Sequence, residues 1–247
     1  MANETVSCDT DGNGRDAVKV AGNVVWDAGQ RETVGGNRPS RSRFRGAVNA
    51  GLKKTLDLAG AGTALLLLFP LFIAIAVAIK LTSRGPVLFR QRRYGLHGEP
   101  FTLLKFRSMH VERCDASGVT QTVPDDPRLT VIGGFLRRSN FDELPQLINV
   151  LRGEMSLVGP RPHVPGMLAA GVPYETFDPR YMDRHQVRPG ITGLAQINGC
   201  RGETRDAHAA RMRLEYDLDY IRRQSLFLDL RILAVTMVRE LFSGSGY

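Results

Sequence analysis

The sequence has only three cysteines, Cys8, Cys114 and Cys200, and no C-x-x-C pair. An odd number at such long spacing argues against a disulfide framework and against a zinc site, and fits a reducing compartment. The five histidines, His97, His110, His163, His185 and His208, show no metal-binding spacing. There is no G-x-x-x-x-G-K-[ST], no G-x-G-x-x-G and no H-E-x-x-H, so the common phosphate-loop, dinucleotide and zinc-protease signatures are missing. The first forty residues lack an apolar core of the kind a secretory signal needs. Internal repeats are absent as well.

What is present is positive charge. The 247 residues carry a formal net charge of +8, and the length suits one or two domains. A basic balance implies an anionic partner: nucleic acid, a lipid surface or phosphorylated substrates. Residues 1–45 are rich in Gly, Asn, Asp and Thr, and Val24-Val25-Trp26 is their one apolar cluster. They read as a disordered polar and basic tail, with a docking peptide around Trp26 as the alternative. Arg38, Arg41, Arg43, Arg45, Lys53 and Lys54, interleaved with Phe44, Val48 and Leu52, could lie on an anionic membrane surface or be a solvated basic tail.

The one long apolar run is AGAGTALLLLFPLFIAIAVAI, residues 59–79, without a charge. At 1.5 Å per residue it is about 30 Å long, enough to reach across a bilayer core. Residues 46–82 are therefore read as a membrane-inserted helix kinked at Pro70, where proline removes a backbone hydrogen bond. A simple span is basic on its cytoplasmic side alone. Here Arg41, Arg43, Arg45, Lys53 and Lys54 precede the run, and Lys80, Arg84, Arg90, Arg92 and Arg93 follow it. A helix that enters and leaves the same leaflet, bent at Pro70, accounts for both facts; a true span is the alternative.

Residues 83–247 read as one domain that follows the membrane segment; the resemblance given below implies that it is the cytoplasmic catalytic domain. The expected elements are a strand at 87–89, a hairpin turn at 95–99 and a strand at 101–107 that places Lys105 and Arg107 on one face. A polar flexible loop follows at 111–127, then a short helix at 129–138, a weakly helical stretch at 164–170 and an irregular one at 173–179. Arg188-Pro189-Gly190-Ile191-Thr192-Gly193 reads as a loop that exposes backbone N–H groups beside a cation. Residues 211–223 look like an amphipathic helix, and 225–242 like a helix packed in the core or lying in the interface. The fold class is α/β: a small membrane-associated domain with one re-entrant or spanning N-terminal helix, short strands and amphipathic interface helices.

The candidate site lies in residues 139–162. Leu144, Leu147, Ile148 and Leu151 fall on one helical face, Ser139 and Asp142 have the form of a capping box, and Gly153 suits a C-terminal cap. A helix starting at Asp142 tolerates Pro145 in its first turn. It would put Asp142 and Glu143 beside unpaired N–H groups, a place to bind phosphate if a divalent cation bridges the carboxylates. The alternative is an acidic pair that merely complements the helix dipole. Adjacent carboxylates point about 100° apart, which argues against a two-carboxylate glycosidase. One carboxylate could act as a nucleophile toward phosphorus or hold a metal. Arg161, between Pro160 and Pro162, presents a guanidinium on a stiff backbone, as phosphate recognition requires, or marks a surface turn. Lys105, Arg107, Arg137 and Arg188 are further candidate cations or solvated charges.

Taken together, these stretches resemble the bacterial sugar transferase family, the monotopic phosphoglycosyl transferases. The similarity covers the apolar run, SRGPVLFRQ at 83–91, KFRSM at 105–109, DELPQL at 142–147, MSLVGPRP at 155–162 and PGITGL at 189–194. The resemblance implies transfer of a sugar 1-phosphate from a UDP-sugar to undecaprenyl phosphate, at the bacterial inner membrane with the catalytic domain facing the cytoplasm. It implies that Asp142 is the nucleophile, forming a covalent sugar-phosphoryl enzyme and releasing UMP. Glu143 would bind Mg²⁺ with Asp142 or help deprotonate the lipid phosphate. Lys105, Arg107, Arg137, Arg161 and Arg188 would neutralise substrate phosphates. Nucleic acid is not an expected partner on this reading, and the transferred sugar and oligomeric state are not legible. Members commonly have Ser before the bend proline and Trp where Ala195 stands; here Phe69 fills the first position. Larger members add a bundle of spanning helices, so this chain is expected to be the minimal catalytic form. The rivals are a membrane-anchored binder of anionic lipid or nucleic acid, and an ordinary glycosyltransferase that releases UDP.

Overall fold

The structure is a computed structural model that describes residues 8–10, 16–20, 23–26, 40–113, 126–200, 204 and 206–243. Most of the expected disordered tail, and most of the expected flexible loop at 111–127, lie outside the described residues. Within the tail, Cys8–Thr10 (β1), Asp16–Val20 (β2) and Asn23–Trp26 (β3) form an antiparallel meander in which Ala17 pairs with Trp26.

Helix α1 spans Ser40–Thr82 and runs unbroken through Pro70. It starts at Ser40, ahead of the expected residue 46. Its stretch Gly51–Thr82 is long and apolar enough to cross a membrane, and only 11% of its most apolar window is buried in the protein. The buried minority forms a stripe. Asp57, Ala61, Ile75 and Ile79 are buried, and Ala64, Leu65, Leu68, Leu71 and Phe72 pack beside them against the domain. These positions recur every three to four residues, so one face of the helix touches protein along its length. Leu66, Leu67, Phe69, Ile73, Val77 and Leu81 are exposed and apolar.

Strands β4 (Leu88–Tyr94) and β5 (Pro100–Phe106) form an antiparallel hairpin around the expected turn. The first strand is longer than the apolar triplet predicts, because Arg90, Arg92 and Arg93 continue it instead of flanking the membrane segment. Both faces of β5 are covered: Leu103 packs with Ala61, Leu147, Val150 and Met155, while Phe106 packs with Ile75, Ile79 and Leu136. The side chain of Asn149, wholly buried, bonds to β5 as a neighbouring strand would. Leu104 N donates to its Oδ1 at 3.0 Å, and its Nδ2 donates to Thr102 O at 2.8 Å.

Helix α2 spans Gly133–Arg138 and α3 spans Gln146–Leu151. Strand β6 (Ser156–Val158) follows, then the short β7 (Leu168–Ala169), β8 (Val172–Pro173) and α4 (Tyr174–Phe177). The pairing of β7 with β8 replaces the weak helix expected near 164–170. Strand β9 (Gly190–Thr192) lies parallel to β6. Residues 190–192 of the glycine-proline segment are therefore sheet rather than loop, and their main chain is paired: Gly190 N donates to Pro160 O, and Thr192 O accepts from Gly159 N, both at 2.9 Å. After α5 (Leu194–Ile197), α6 (Ala207–Arg223) buries Leu214 and Leu218, the face expected of an amphipathic helix. Helix α7 (Leu226–Ser243) buries Leu228 and Ile232 and exposes Phe227, Leu230, Met237 and Val238.

Helix α1 is tied to this domain by polar anchors at its apolar entrance. Lys53 Nζ donates to Asp229 Oδ2 at 2.8 Å and to Val158 O at 3.0 Å. Asp57 accepts from Ser156 Oγ at 3.0 Å and Leu157 N at 2.9 Å. Lys53, read from the sequence as a membrane-surface or solvated cation, thus faces protein instead.

Candidate functional site

The acidic pair sits on a single 3₁₀ turn, Phe141–Glu143, between α2 and α3. The expected helix from Asp142 is absent, because α3 starts only at Gln146 and Ser139 makes no cap. Ser139 Oγ donates backwards to Phe135 O at 2.9 Å and closes α2. Asn140 then adopts a left-handed conformation, with φ 55° and ψ 13°. That residue type tolerates it best after glycine. The reversal turns Phe141 and Leu144 into the cluster of Ile75, Ile79, Phe106 and Leu136, and Asp142 is left 4% exposed. Gly153, at φ 74°, follows α3 as the sequence predicts.

Cations, not a helix dipole, dominate the surroundings of the pair. Lys105 Nζ donates to Glu143 Oε1 at 2.7 Å and lies 3.9 Å from Asp142 Oδ2. Arg161 forks on Glu143, with Nη1 donating to Oε2 at 3.1 Å and Nη2 to Oε1. Arg137, at the end of α2, adds positive charge near Asp142. Burial alone would raise both carboxyls. For Glu143, Arg161 and Lys105 overcome it and hold the group well below the usual carboxylate range. For Asp142, burial prevails over Lys105, the Glu143 charge pushes the same way, and the carboxyl titrates above its ordinary value. Burial likewise lowers the Lys105 ammonium, against the pull of Glu143 and Asp142.

Residues 48–243 match the bacterial sugar transferase family. The chain belongs to that family. Among its relatives, an exopolysaccharide production protein of Rhizobium leguminosarum bv. phaseoli is 50% identical over 79% of this chain and 98% of its own length. A UDP-glucose:undecaprenyl-phosphate glucose-1-phosphate transferase of Xanthomonas campestris pv. campestris is 52% identical over 74% of this chain and 37% of its own. A UDP-N-acetylgalactosamine-undecaprenyl-phosphate N-acetylgalactosaminephosphotransferase of Aeromonas hydrophila is 41% identical over 81% of this chain and 45% of its own. The chain thus spans nearly all of the first relative and less than half of the other two.

In this sugar transferase, the structure brings together Asp142, Glu143, Lys105, Arg137 and Arg161 of the residues expected at the site. Arg107 is committed elsewhere: its guanidinium donates to Arg84 O, to Ser83 O at 3.0 Å and to Ser83 Oγ at 3.0 Å, clamping the turn after α1. Arg188 is exposed, and its Nε donates to Gly153 O at 2.8 Å. By sequence Arg93 is only one of the charges that flank the apolar run. It lies close enough to Arg161 and Glu143 to feel both, and burial with the Arg161 charge lowers its guanidinium to about 10. No short-range signal distinguishes it from Arg90 or Arg92.

Among the described residues, no cluster of three or more His, Cys, Asp or Glu side chains could hold a metal by itself. The carboxylate pair does match what Mg²⁺ usually takes from a protein: one or two carboxylates, with substrate phosphates and water completing the shell. Such an ion would arrive with the substrate, and Glu143 would have to share its ties to Arg161 and Lys105.

Proposed function

We propose that the protein is a phosphoglycosyl transferase that moves a sugar 1-phosphate from a UDP-sugar to undecaprenyl phosphate. The observation that carries this is the convergence of a buried aspartate, Asp142, with Lys105, Arg137 and Arg161 around a second carboxylate, Glu143. An Asp142 oxygen attacks the β-phosphorus of the donor. The bond from that phosphorus to the bridging oxygen breaks, and UMP leaves with the electron pair. An oxygen of undecaprenyl phosphate then attacks the aspartyl phosphorus, freeing the Asp142 carboxylate and yielding the sugar-diphosphate lipid.

Desolvation suits Asp142 to this role, since an ionised carboxylate stripped of water is a stronger nucleophile. Lys105, Arg137 and Arg161 supply the charge that stabilises the transferring phosphoryl group. Glu143 holds Lys105 and Arg161 in place until phosphate oxygens compete for them. Asp142 and Glu143 would also hold Mg²⁺, which neutralises phosphate charge when bound. Relatives named for glucose 1-phosphate transfer make UDP-glucose the first donor to test, and an exopolysaccharide-producing relative suggests the pathway class.

The same reading places α1 in the inner membrane as a re-entrant element with the domain on the cytoplasmic side. Exposed basic residues on both flanks of its apolar stretch, Lys54 before it and Lys80 and Arg84 after it, support entry and exit on one side.

The test is mass spectrometry after incubation with UDP-glucose alone. The expected result is a hexose-phosphate adduct on Asp142 with UMP released, and neither in Asp142→Asn. Release of UDP in place of UMP would sink the mechanism and favour an ordinary glycosyltransferase.

A further inference from the structure

Four consecutive carbonyls, those of Pro160, Arg161, Pro162 and His163, each accept a hydrogen bond from outside their own segment. Gly190 N donates to Pro160 O at 2.9 Å, and Tyr94 N donates to His163 O at 2.9 Å. Between them, Arg184 Nη2 donates to Arg161 O at 2.7 Å, and Arg93 Nη1 donates to Pro162 O at 3.2 Å. Pro160 and Pro162 have no N–H, so carbonyls are the main handles by which the fold can grip this loop. Two of the four grips are main chain. The two nearest the Arg161 side chain are guanidinium groups.

Arg184 is 2% exposed, and so is its partner Asp217 on α6. Its Nε and Nη2 donate to Asp217 Oδ2 at 3.0 and 2.7 Å, and its guanidinium carbon lies 5.6 Å from the centre of the Tyr181 ring. Burying such a pair is an expensive way to pack a helix, because both charges lose water; apolar residues of the same volume often serve as well. What apolar residues cannot do is donate a further hydrogen bond. The guanidinium fork has donors to spare after Asp217 is satisfied, and one of them is spent on Arg161 O.

We propose that Arg184 is a positioning residue for Arg161, oriented in turn by Asp217, with Arg93 holding the next carbonyl. This rests on the reading of Arg161 as a ligand for substrate phosphate. The chain of contact runs from Asp217 to Arg184, to the Arg161 carbonyl, and through the Arg161 side chain to Glu143. A shift of about 1 Å in a positioning group can cost about a hundredfold in rate, so such a grip matters.

The test is Arg184→Lys, which keeps a positive charge opposite Asp217 but cannot reproduce the fork. Two readouts are taken on the full-length protein: hydrogen exchange at the amides of Gly159 and Gly190, which donate to Thr192 O and Pro160 O, and UMP release from UDP-glucose. Exchange should quicken there while the β4–β5 hairpin is unchanged, and kcat/KM should fall about tenfold or more. In an Arg161→Lys background, adding Arg184→Lys should cost less than about twofold, because the two substitutions act through one group. Unchanged exchange at the loop overturns the proposal, whatever the reaction. So does a penalty in the Arg161→Lys background as large as in the unsubstituted protein. If the unsubstituted protein releases no UMP, the reaction reading fails, and hydrogen exchange still decides the loop. Should Arg184→Lys not fold, the paired Arg184→Met and Asp217→Leu variant removes both charges together and is read in the same way.

Discussion

Lys105 Nζ lies 2.7 Å from Glu143 Oε1 and 3.9 Å from Asp142 Oδ2, so one ammonium group serves two adjacent carboxylates unequally. The closer carboxylate is pinned in its ionised form. The farther one keeps the elevated proton affinity that burial confers. On the proposed mechanism, this inequality would distinguish Glu143, which positions cations, from Asp142, the nucleophile, although the two are neighbours in the chain.

Lys105→Met should therefore move the acid limb of UMP release to higher pH. The Lys105 charge lowers the Asp142 carboxyl, which burial has raised, so removing the charge lets it rise further. The rate on the plateau should also drop, by about a hundredfold for loss of one charge-stabilising donor. The pH profile of kcat/KM for the UMP-releasing step checks both, and an acid limb that moves down would remove Lys105 from control of Asp142.

Two buried imidazoles predict loss of stability in mild acid. Burial, reinforced by Arg184, lowers His185 from 6.5 to about 4, and burial likewise holds His163 well below its usual value. As pH falls through 6.5 the unfolded chain binds protons that the folded chain refuses. Stability is then full above pH 6.5 and declines towards pH 4, by up to about 1.4 kcal/mol per pH unit for each group. The His185 ring packs on Tyr94 and Tyr181 at centroid distances of 5.2 and 5.4 Å, a setting that phenylalanine can occupy. Thermal melting of His185→Phe between pH 7 and pH 4.5 should show a flatter decline than the unsubstituted protein (~1.4 kcal/mol less per unit at most).

The sequence marks which residues gather at the candidate site better than it marks the elements that carry them. Asp142, Glu143 and Arg161 stand out by residue type and by their proline and helix punctuation, and the contiguous apolar run marks α1 by length alone. The sequence pattern starts α3 too early, because the i, i+3, i+4 spacing from Leu144 continues across a turn that Asn140 and Pro145 break into two pieces. Pro and Gly dominate residues 188–193 and so read as a loop, whereas parallel pairing with a strand thirty-odd residues earlier makes 190–192 sheet. Arg107 and Arg93 were indistinguishable in sequence from their neighbours. Their roles come from partners far away in the chain, Ser83 for one and Pro162 for the other, and local pattern holds no trace of such pairings.

The anchor between the first and last helices should behave as a buried charge pair. Asp229 is wholly buried and accepts from both Lys53 Nζ and Tyr220 OH at 2.8 Å. Lys53→Met leaves that carboxylate with the tyrosine alone and should cost about 3 kcal/mol. Combining it with Asp229→Leu should recover much of the loss, since no unpaired charge then remains. Melting temperatures of the two variants in lipid nanodiscs decide the matter; a double variant less stable than Lys53→Met would mean that the pair contributes more than mutual neutralisation.

The close main-chain approach of Gly190 to Gly159 tests whether the Arg161 loop is set by the sheet beneath it. A Cβ added at Gly190 would collide with the backbone of Gly159 and with Thr192 O, and one added at Gly193 would collide with Gly159 O. None of these atoms belongs to a flexible side chain that could swing away. Gly190→Ala must therefore push β9 from β6, and the strain falls on Gly159 and Pro160, immediately before Arg161. Gly153→Ala is the natural control: it meets nothing within 4 Å, but its φ of 74° makes alanine unfavourable. That penalty is local and about 1 kcal/mol, on the scale of placing an L-residue in the left-handed region. Both variants should lower the melting temperature. Only Gly190→Ala should lower kcat for UMP release by more than its effect on folding explains, because only it displaces the carbonyl that Gly190 N holds at 2.9 Å. Equal kcat in the two variants would show that Arg161 keeps its place without β9.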